Sequence, residues 1–260
     1  MITYRKVYEM TFVKLKSNIS KLKPNNYTNK NYECPFCNRE TLRLEGRMIK
    51  ETSDFLIVKN KYPTLEDTYS SILIEHRSCK QHMGSYTKKY LTDFLVFSLQ
   101  HYEELMNSSN YTFLILFKNS GLFACGSIDH PHCQIIGFKN KVYQENIKDS
   151  DFQGIEIISD NDIEWNISTN PKSEFYEINI LLFNKGKLDL LAEYLKKSIN
   201  FILEVMNPKY QSYNLAFYIE KEHLKLKIIP RGPTSVLLLG YGIHQTPDNL
   251  EEVAKLLGCY

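Results

Sequence analysis

Cysteine is scarce in this chain, with six in 260 residues at positions 34, 37, 79, 125, 133 and 259. So few and so scattered, they exclude a disulfide scaffold. Excess charge of one sign is equally wanting: 32 basic against 30 acidic side chains leave a formal net charge of +2. Without a basic stripe, a dedicated nucleic-acid binder is excluded. No run approaches the roughly 18 uninterrupted apolar residues of a membrane span. The opening Met1-Ile2-Thr3-Tyr4-Arg5-Lys6 leads into no apolar signal-peptide core, so a cytoplasmic protein is expected. What remains is a globular composition, 43% hydrophobic, 13% aromatic and 24% charged, in a chain long enough for one large domain or two small ones.

Periodicity then shows an internal duplication. Tyr90, Leu91, Phe94, Leu95, Leu99 and Tyr102 recur at three- and four-residue spacing and predict an amphipathic helix from about Ser85 to Met106. The β-rich run Tyr111–Phe117 follows, ending at Asn119-Ser120-Gly121, and after a small-residue loop comes a second strand, Cys133–Phe138. The same order returns about a hundred residues later: a helix from Leu188 to Met206, a strand from Tyr213 to Glu220, and a strand from His223 to Ile229. Laid over each other, His130-Pro131-His132-Cys133-Gln134 meets His223-Leu224-Lys225-Leu226-Lys227, and only the leading histidine is kept. Two α+β halves with largely antiparallel strands are expected, one catalytic and one decayed. A short helix from about Asn249 to Leu257 closes the pattern. The Lys- and Asn-rich first thirty or so residues, with the turn signal Pro24-Asn25-Asn26, read as a loosely packed segment without assigned chemistry.

The chemistry concentrates between Phe117 and Gln134. In an extended chain His130, His132 and Gln134 share a face, while Cys133 and Ile135 turn to the other. Upstream, Gly121, Gly126 and Ser127 lie in a loop suited to offering backbone N–H groups and a hydroxyl to a phosphate. Neutral imidazole is a good nucleophile near pH 7, and donors aimed at the equatorial oxygens stabilise charge building on phosphorus. His132 is the expected nucleophile. A lone strand histidine is more often a hydrogen-bonded core residue, but two histidines around a proline, with a Gly/Ser loop before and Gln134 after, favour catalysis. Cys34-Pro35-Phe36-Cys37 has the two-residue gap that lets both thiolates reach one tetrahedral zinc. A thioredoxin-like redox role would come with a βαβ pattern, which is missing here. The remaining ligands must come from elsewhere, with His76, Cys79, His82 and His130 as candidates.

Together with Asn60–Leu65, Ile72-Leu73-Ile74-Glu75 and His223–Pro230, these motifs resemble the galactose-1-phosphate uridylyltransferase branch of the histidine-triad superfamily, which includes the plant-type ADP-glucose phosphorylase, and a related bacterial group. The resemblance runs from about Cys34 to Leu257. It implies an α+β fold of two tandem histidine-triad-like halves with mainly antiparallel sheets, the second degenerate. The implied segments are 1–33 as an N-terminal extension, 34–150 as the catalytic half with a zinc site, and 151–260 as the degenerate half.

The resemblance also implies roles. His132 takes up the nucleotidyl group covalently and Gln134 hydrogen-bonds the transferred phosphoryl. Asn119 and Ser127, beside Gly126, contact phosphate oxygens, and Asn60 lies near the nucleoside. Hydrolytic relatives usually carry a third histidine where Gln134 stands, so transfer is favoured. Cys34, Cys37 and His130 carry over as ligands of a structural zinc, and Cys79 falls where the family's remaining ligand does. Two departures stand out: Gly240-Tyr241 is followed by Gly242 in place of the glutamate that helps hold the hexose, and Lys225 argues against a second metal. The expected activity is nucleotidyl transfer from a nucleotide sugar or similar donor to a phosphate-containing acceptor. A hydrolase, or a zinc-stabilised nucleotide-binding protein without efficient catalysis, is the alternative. No nucleic-acid or membrane partner is expected, and a homodimer is compatible with the resemblance.

Overall fold

A computed structural model describes residues 13–25, 27, 33–79, 81–173, 176–234 and 247–260. Among the described residues ten strands form one antiparallel sheet: β1 Met48–Glu51, β2 Leu56–Lys59, β3 Thr68–Ile74, β4 Phe113–Ser120, β5 His132–Phe138, β6 Gly154–Ser159, β7 Ile163–Ser168, β8 Ile178–Leu182, β9 Tyr213–Ile219 and β10 Leu224–Pro230. The α-helices among the described residues are α1 Ser17–Lys21, α2 Arg39–Leu44, α3 Lys88–Asn107, α4 Leu188–Phe201 and α5 Leu250–Gly258. The spatial order of the strands is β1-β2-β3-β5-β4-β9-β10-β8-β7-β6. Each half thus repeats one five-strand order, and the β4–β9 pairing fuses them back to back. The duplication expected from the sequence is present, with the two sheets merged into one. Merging removes an exposed edge from each half, which would otherwise be a pairing hazard.

Helices α3, α4 and α5 lie on one face of this sheet. Helix α3 starts where the Thr87 side chain accepts a bond from the Tyr90 amide at 3.2 Å. It buries Leu91, Phe94, Leu95, Leu99 and Tyr102. Helix α4 continues into a π-helical turn, Ile202–Met206, so the predicted single helix is two segments. Helix α5 buries Val253, Ala254 and Leu257. Strand alternation aims Ile57, Leu73, Leu116, Cys133, Ile135, Leu215 and Leu226 into this helix-side core.

The other face of the first half carries a smaller cluster, in which Phe36, Leu42 and Ile128 cover Leu56, Val58, Ile72 and Ile74. Phe36 and Leu42 come from the Cys34–Cys37 turn and helix α2, whose Asn38 cap accepts from the Thr41 amide at 3.0 Å. Between this cap and the sheet lies the open face. Residues 14–16 are tied along its rim by Lys16 N–H to Thr64 O at 2.7 Å and Glu66 N–H to Lys14 O at 3.0 Å.

The matching face of the second half is closed. Residues 149–152 fold over it, with Phe152 buried edge-on against Tyr218 at 4.9 Å. Lys225, which stands where the first half has His132, pairs with Glu220 at 2.9 Å and Asp149 at 3.2 Å. Lys227, at the place of Gln134, is buried against Glu177 at 2.8 Å. With its polar residues satisfied by one another and its surface plugged, this half is degenerate in structure as well as in sequence.

Candidate active site and metal centre

The open face of the first half encloses a cavity of about 520 Å³, within the roughly 300–1,000 Å³ of small-molecule sites. Its floor follows from strand register: Gln134 lies opposite Ile72 and Phe117, and His132 opposite Ile74. Strand β5 begins at His132, so the alternation expected from His130 onward applies only from His132. His132 and Gln134 line the cavity, whereas His130 turns aside towards the cysteines.

His132 is buried and its Nδ1 lies 2.7 Å from the carbonyl oxygen of His130. An Nδ1–H donated there leaves Nε2 as the unprotonated nitrogen. Burial first, then the charge of Lys118, pushes the His132 pKa down to about 3, so the imidazole is neutral near pH 7. The Phe36 ring meets it edge-on at 5.3 Å and meets His130 at 5.8 Å.

Asn119 accepts at Oδ1 from Asn214 Nδ2 at 2.8 Å, which leaves its own NH₂ to donate towards the cavity. Asn214 comes from β9, across the seam of the two halves, and no motif in the sequence points to it. Ser127 also lines the cavity. Gly126 behaves otherwise than expected: its N–H is committed to Gly121 O at 3.0 Å, and an added Cβ would sit 2.7 Å from that same oxygen. Its contribution is close backbone approach, not a free donor. Gly121, at φ +86°, has no room for a side chain against Ser212 and Gln211.

Asn60 lies by Ser70, which pairs with Ile136, four residues along β5 from His132. That separation is about 13 Å at 3.3 Å per residue, room for a nucleoside between the two. Asn60 Oδ1 accepts from the Tyr62 amide at 2.9 Å and Nδ2 donates to Ser70 Oγ at 3.0 Å, so its first duty is to shape this wall. Lys23 and Pro24, from the segment given no chemistry by the sequence, also line the cavity. Residues 1–12 of that segment and Gly240-Tyr241-Gly242 lie outside the described residues.

Beside the nucleophile the ligand atoms of Cys34, Cys37, Cys79 and His130 all fall within 4.8 Å of one another. Cys37 Sγ is 3.1 Å from Cys79 Sγ, and His130 Nδ1 is 3.2 Å from Cys79 Sγ and 3.4 Å from Cys34 Sγ. The cluster joins three distant pieces of chain. His130 Nε2 donates to His76 O at 2.8 Å, which leaves Nδ1 to the thiols, as a ligating histidine requires. His76 Nδ1 accepts from the Ser78 amide at 2.9 Å, so of the sequence candidates it is Cys79 that completes the group. Burial and the neighbouring thiols push the Cys79 thiol up, and burial does the same to Cys34. A divalent cation would reverse this, because it deprotonates the thiols that it binds. Three sulfurs and one imidazole nitrogen form a donor set able to bind a metal, and one suited to tetrahedral zinc.

Two halves of identical strand order, one open over His132 and Gln134 and the other plugged, form a fold shared with solved uridylyltransferase structures. The chain belongs to the DUF4931 family: residues 15–141 match its N-terminal domain and 144–259 its C-terminal domain, both described as of unknown function. A DUF4931 family protein from Bacillus cereus ATCC 10987 is 36% identical, covering 82% of this chain and 98% of that one with a TM-score of 0.74. A uridylyltransferase structure shares the fold at 15% identity over 88% of this chain and 91% of that one, TM-score 0.68. ADP-glucose phosphorylase from Arabidopsis thaliana, solved with ADP-glucose, does so at 16% identity, with the same two coverages and a TM-score of 0.67. A di-/tripeptide transporter of Lactobacillus helveticus is 25% identical over 105 residues, 40% of this chain. The chain spans 21% of the length of that curated relative. Among the described residues no helix is long and apolar enough to cross a membrane.

Proposed function

We propose that this protein is a nucleotidyltransferase that works through a covalent nucleotidyl-histidine on His132, in the cytoplasm, where its thiols stay reduced. His132 Nε2 attacks the α-phosphorus of a nucleotide sugar or similar donor. The Nε2–P bond forms as the P–O bond to the phosphorylated leaving group breaks, and a phosphate-containing acceptor later takes the nucleotide. The observation that carries this reading is the Nδ1 contact to His130 O at 2.7 Å. It fixes the tautomer with Nε2 free and stabilises the positive charge that the ring acquires on phosphorylation. Asn119, Ser127 and Gln134 surround the phosphoryl group, and Asn60 marks the nucleoside end. Residues 34–150 form the catalytic half and 151–260 its degenerate partner.

Cys34, Cys37, Cys79 and His130 hold a zinc ion in this reading. With four protein ligands its role is structural: it anchors the turn that carries Phe36 and the chain leading into His132.

Gln134 decides between transfer and hydrolysis. Its amide hydrogen-bonds a phosphoryl oxygen but has no titrating group near neutral pH, so it cannot activate water. A phosphate leaving group needs no general acid. Incubation with a panel of nucleoside diphosphate sugars, followed by intact mass measurement, is expected to show one nucleotidyl adduct per chain. That adduct should discharge faster with phosphorylated acceptors than in buffer, and Gln134→His should shift the balance towards water. Equal decay with every acceptor and with buffer would make the protein a hydrolase. Tight nucleotide binding without any adduct would make it a binding protein.

A further inference from the structure

The three carbonyls of His130-Pro131-His132 are each held by a different group. His130 O meets His132 Nδ1 at 2.7 Å, Pro131 O accepts from the Glu75 amide at 3.0 Å, and His132 O accepts from Lys118 Nζ at 3.3 Å. Lys118 and Glu75 are themselves an ion pair at 2.5 Å, both almost wholly removed from solvent on the helix side of the sheet, directly behind the nucleophile. Burial alone lowers the Lys118 pKa, but the Glu75 carboxylate overrides this and holds it above the ordinary lysine range. Tyr86 Oη donates to Glu75 Oε2 at 3.3 Å, Cys133 Sγ to Oε1 at 3.4 Å, and Tyr90 Oη to the Glu75 carbonyl at 2.9 Å. Such a pair is a poor device for stability, because apolar side chains of similar volume usually do as well.

Resting on the covalent mechanism above, we infer that the buried Lys118–Glu75 pair is a positioning element for the nucleophile. It grips the His-Pro-His backbone from behind and so sets the reach of His132 Nε2 to phosphorus. Neither residue touches substrate: Lys118 Nζ acts through the His132 carbonyl and the Glu75 carboxylate holds Lys118 there, whereas the Glu75 main-chain N–H to Pro131 O does not depend on the side chain.

The test compares wild type with Lys118→Met and with the double variant Lys118→Met/Glu75→Gln. The single variant strands a buried carboxylate and is expected to destabilise the fold. The double variant removes both charges while the introduced glutamine keeps an acceptor for the Tyr86 hydroxyl, so stability should return. If the pair were merely structural, function would return with it.

The expected result is that the double variant melts near wild type and binds nucleoside diphosphate sugars with unchanged affinity, yet forms the adduct about a hundredfold more slowly, the scale of a misplacement near 1 Å. In nuclear magnetic resonance spectra the hydrogen-bonded His132 Nδ1–H proton should shift or broaden in that variant. Adduct formation at the wild-type rate, or a loss of nucleotide affinity in step with the rate, would overturn the inference. Should wild type form no adduct with any donor, the covalent mechanism fails by itself. The inference then rests on the Nδ1–H resonance: displacement in the double variant supports it and an unmoved signal overturns it.

Discussion

His132→Ala is expected to form no nucleotidyl adduct with any donor, and transfer should fall by roughly four to six orders of magnitude, the usual consequence of deleting a covalent nucleophile. The fold should survive the change. His132 faces a cavity already open to solvent, so its removal enlarges that space without creating a sealed void in either core. What is lost is the Nδ1–H bond to His130 O and the edge contact with Phe36, together about 1 kcal/mol. Nucleotide affinity should stay near that of wild type, because Asn119, Ser127, Gln134 and the apolar walls are untouched. Intact mass measurement, calorimetric nucleotide binding and thermal melting on one preparation check all three parts. Transfer by the purified alanine variant at a rate close to wild type would sink the mechanism, whatever the state of the fold.

The fold and the centre of the site are legible in the sequence because both are written in local patterns. Alternation in Phe113–Phe117 and Cys133–Phe138, repeated at 213–229, marks the two copies, and the Cys-x-x-Cys and His-Pro-His spacings outline the site. What escapes is non-local. Asn214 orients Asn119 only because β4 and β9 pair across the seam, and register between two halves is not a property of either segment. The consumption of the Gly126 amide by Gly121 is equally hidden, since a glycine-rich loop reads the same whether its N–H groups face a ligand or one another. Lys118 and Glu75 do leave a trace. Each stands at an inward position of an alternating strand pattern, after Leu114 and Leu116 in one case and after Leu73 in the other, where a charge demands a partner. Two inward charges of opposite sign are thus a readable pair, although periodicity alone does not say that their strands meet.

Loss of any one cysteine of the metal cluster is expected to damage more than the cluster. Cys34→Ser, Cys37→Ser and Cys79→Ser should each abolish binding of the zinc ion proposed for this cluster, because the ligands are folded around one point and metal binding is coupled to that folding. The cluster closes loops as long as 96 residues, between Cys34 and His130, and releasing it returns their conformational entropy. The helix-side core does not depend on it, so the response is local unfolding rather than collapse. Phe36 and Leu42 belong to the small outer cluster, and amides in residues 34–47 and 128–132 should lose their hydrogen-exchange protection. On the scale of roughly 2–4 °C per kcal/mol for a chain of this length, a fall of about 10 °C in Tm follows from the loss of a few kcal/mol. Catalysis suffers too, since Phe36 packs on His132 and His130 leads into it. The zinc-depleted protein should form adduct slowly although every catalytic side chain is present. Metal analysis by mass spectrometry, exchange mapping and melting curves read these effects separately. A full zinc complement in Cys79→Ser would pass the fourth position to His76 or His82, and protein purified without chelator that contains no metal would refute the centre altogether.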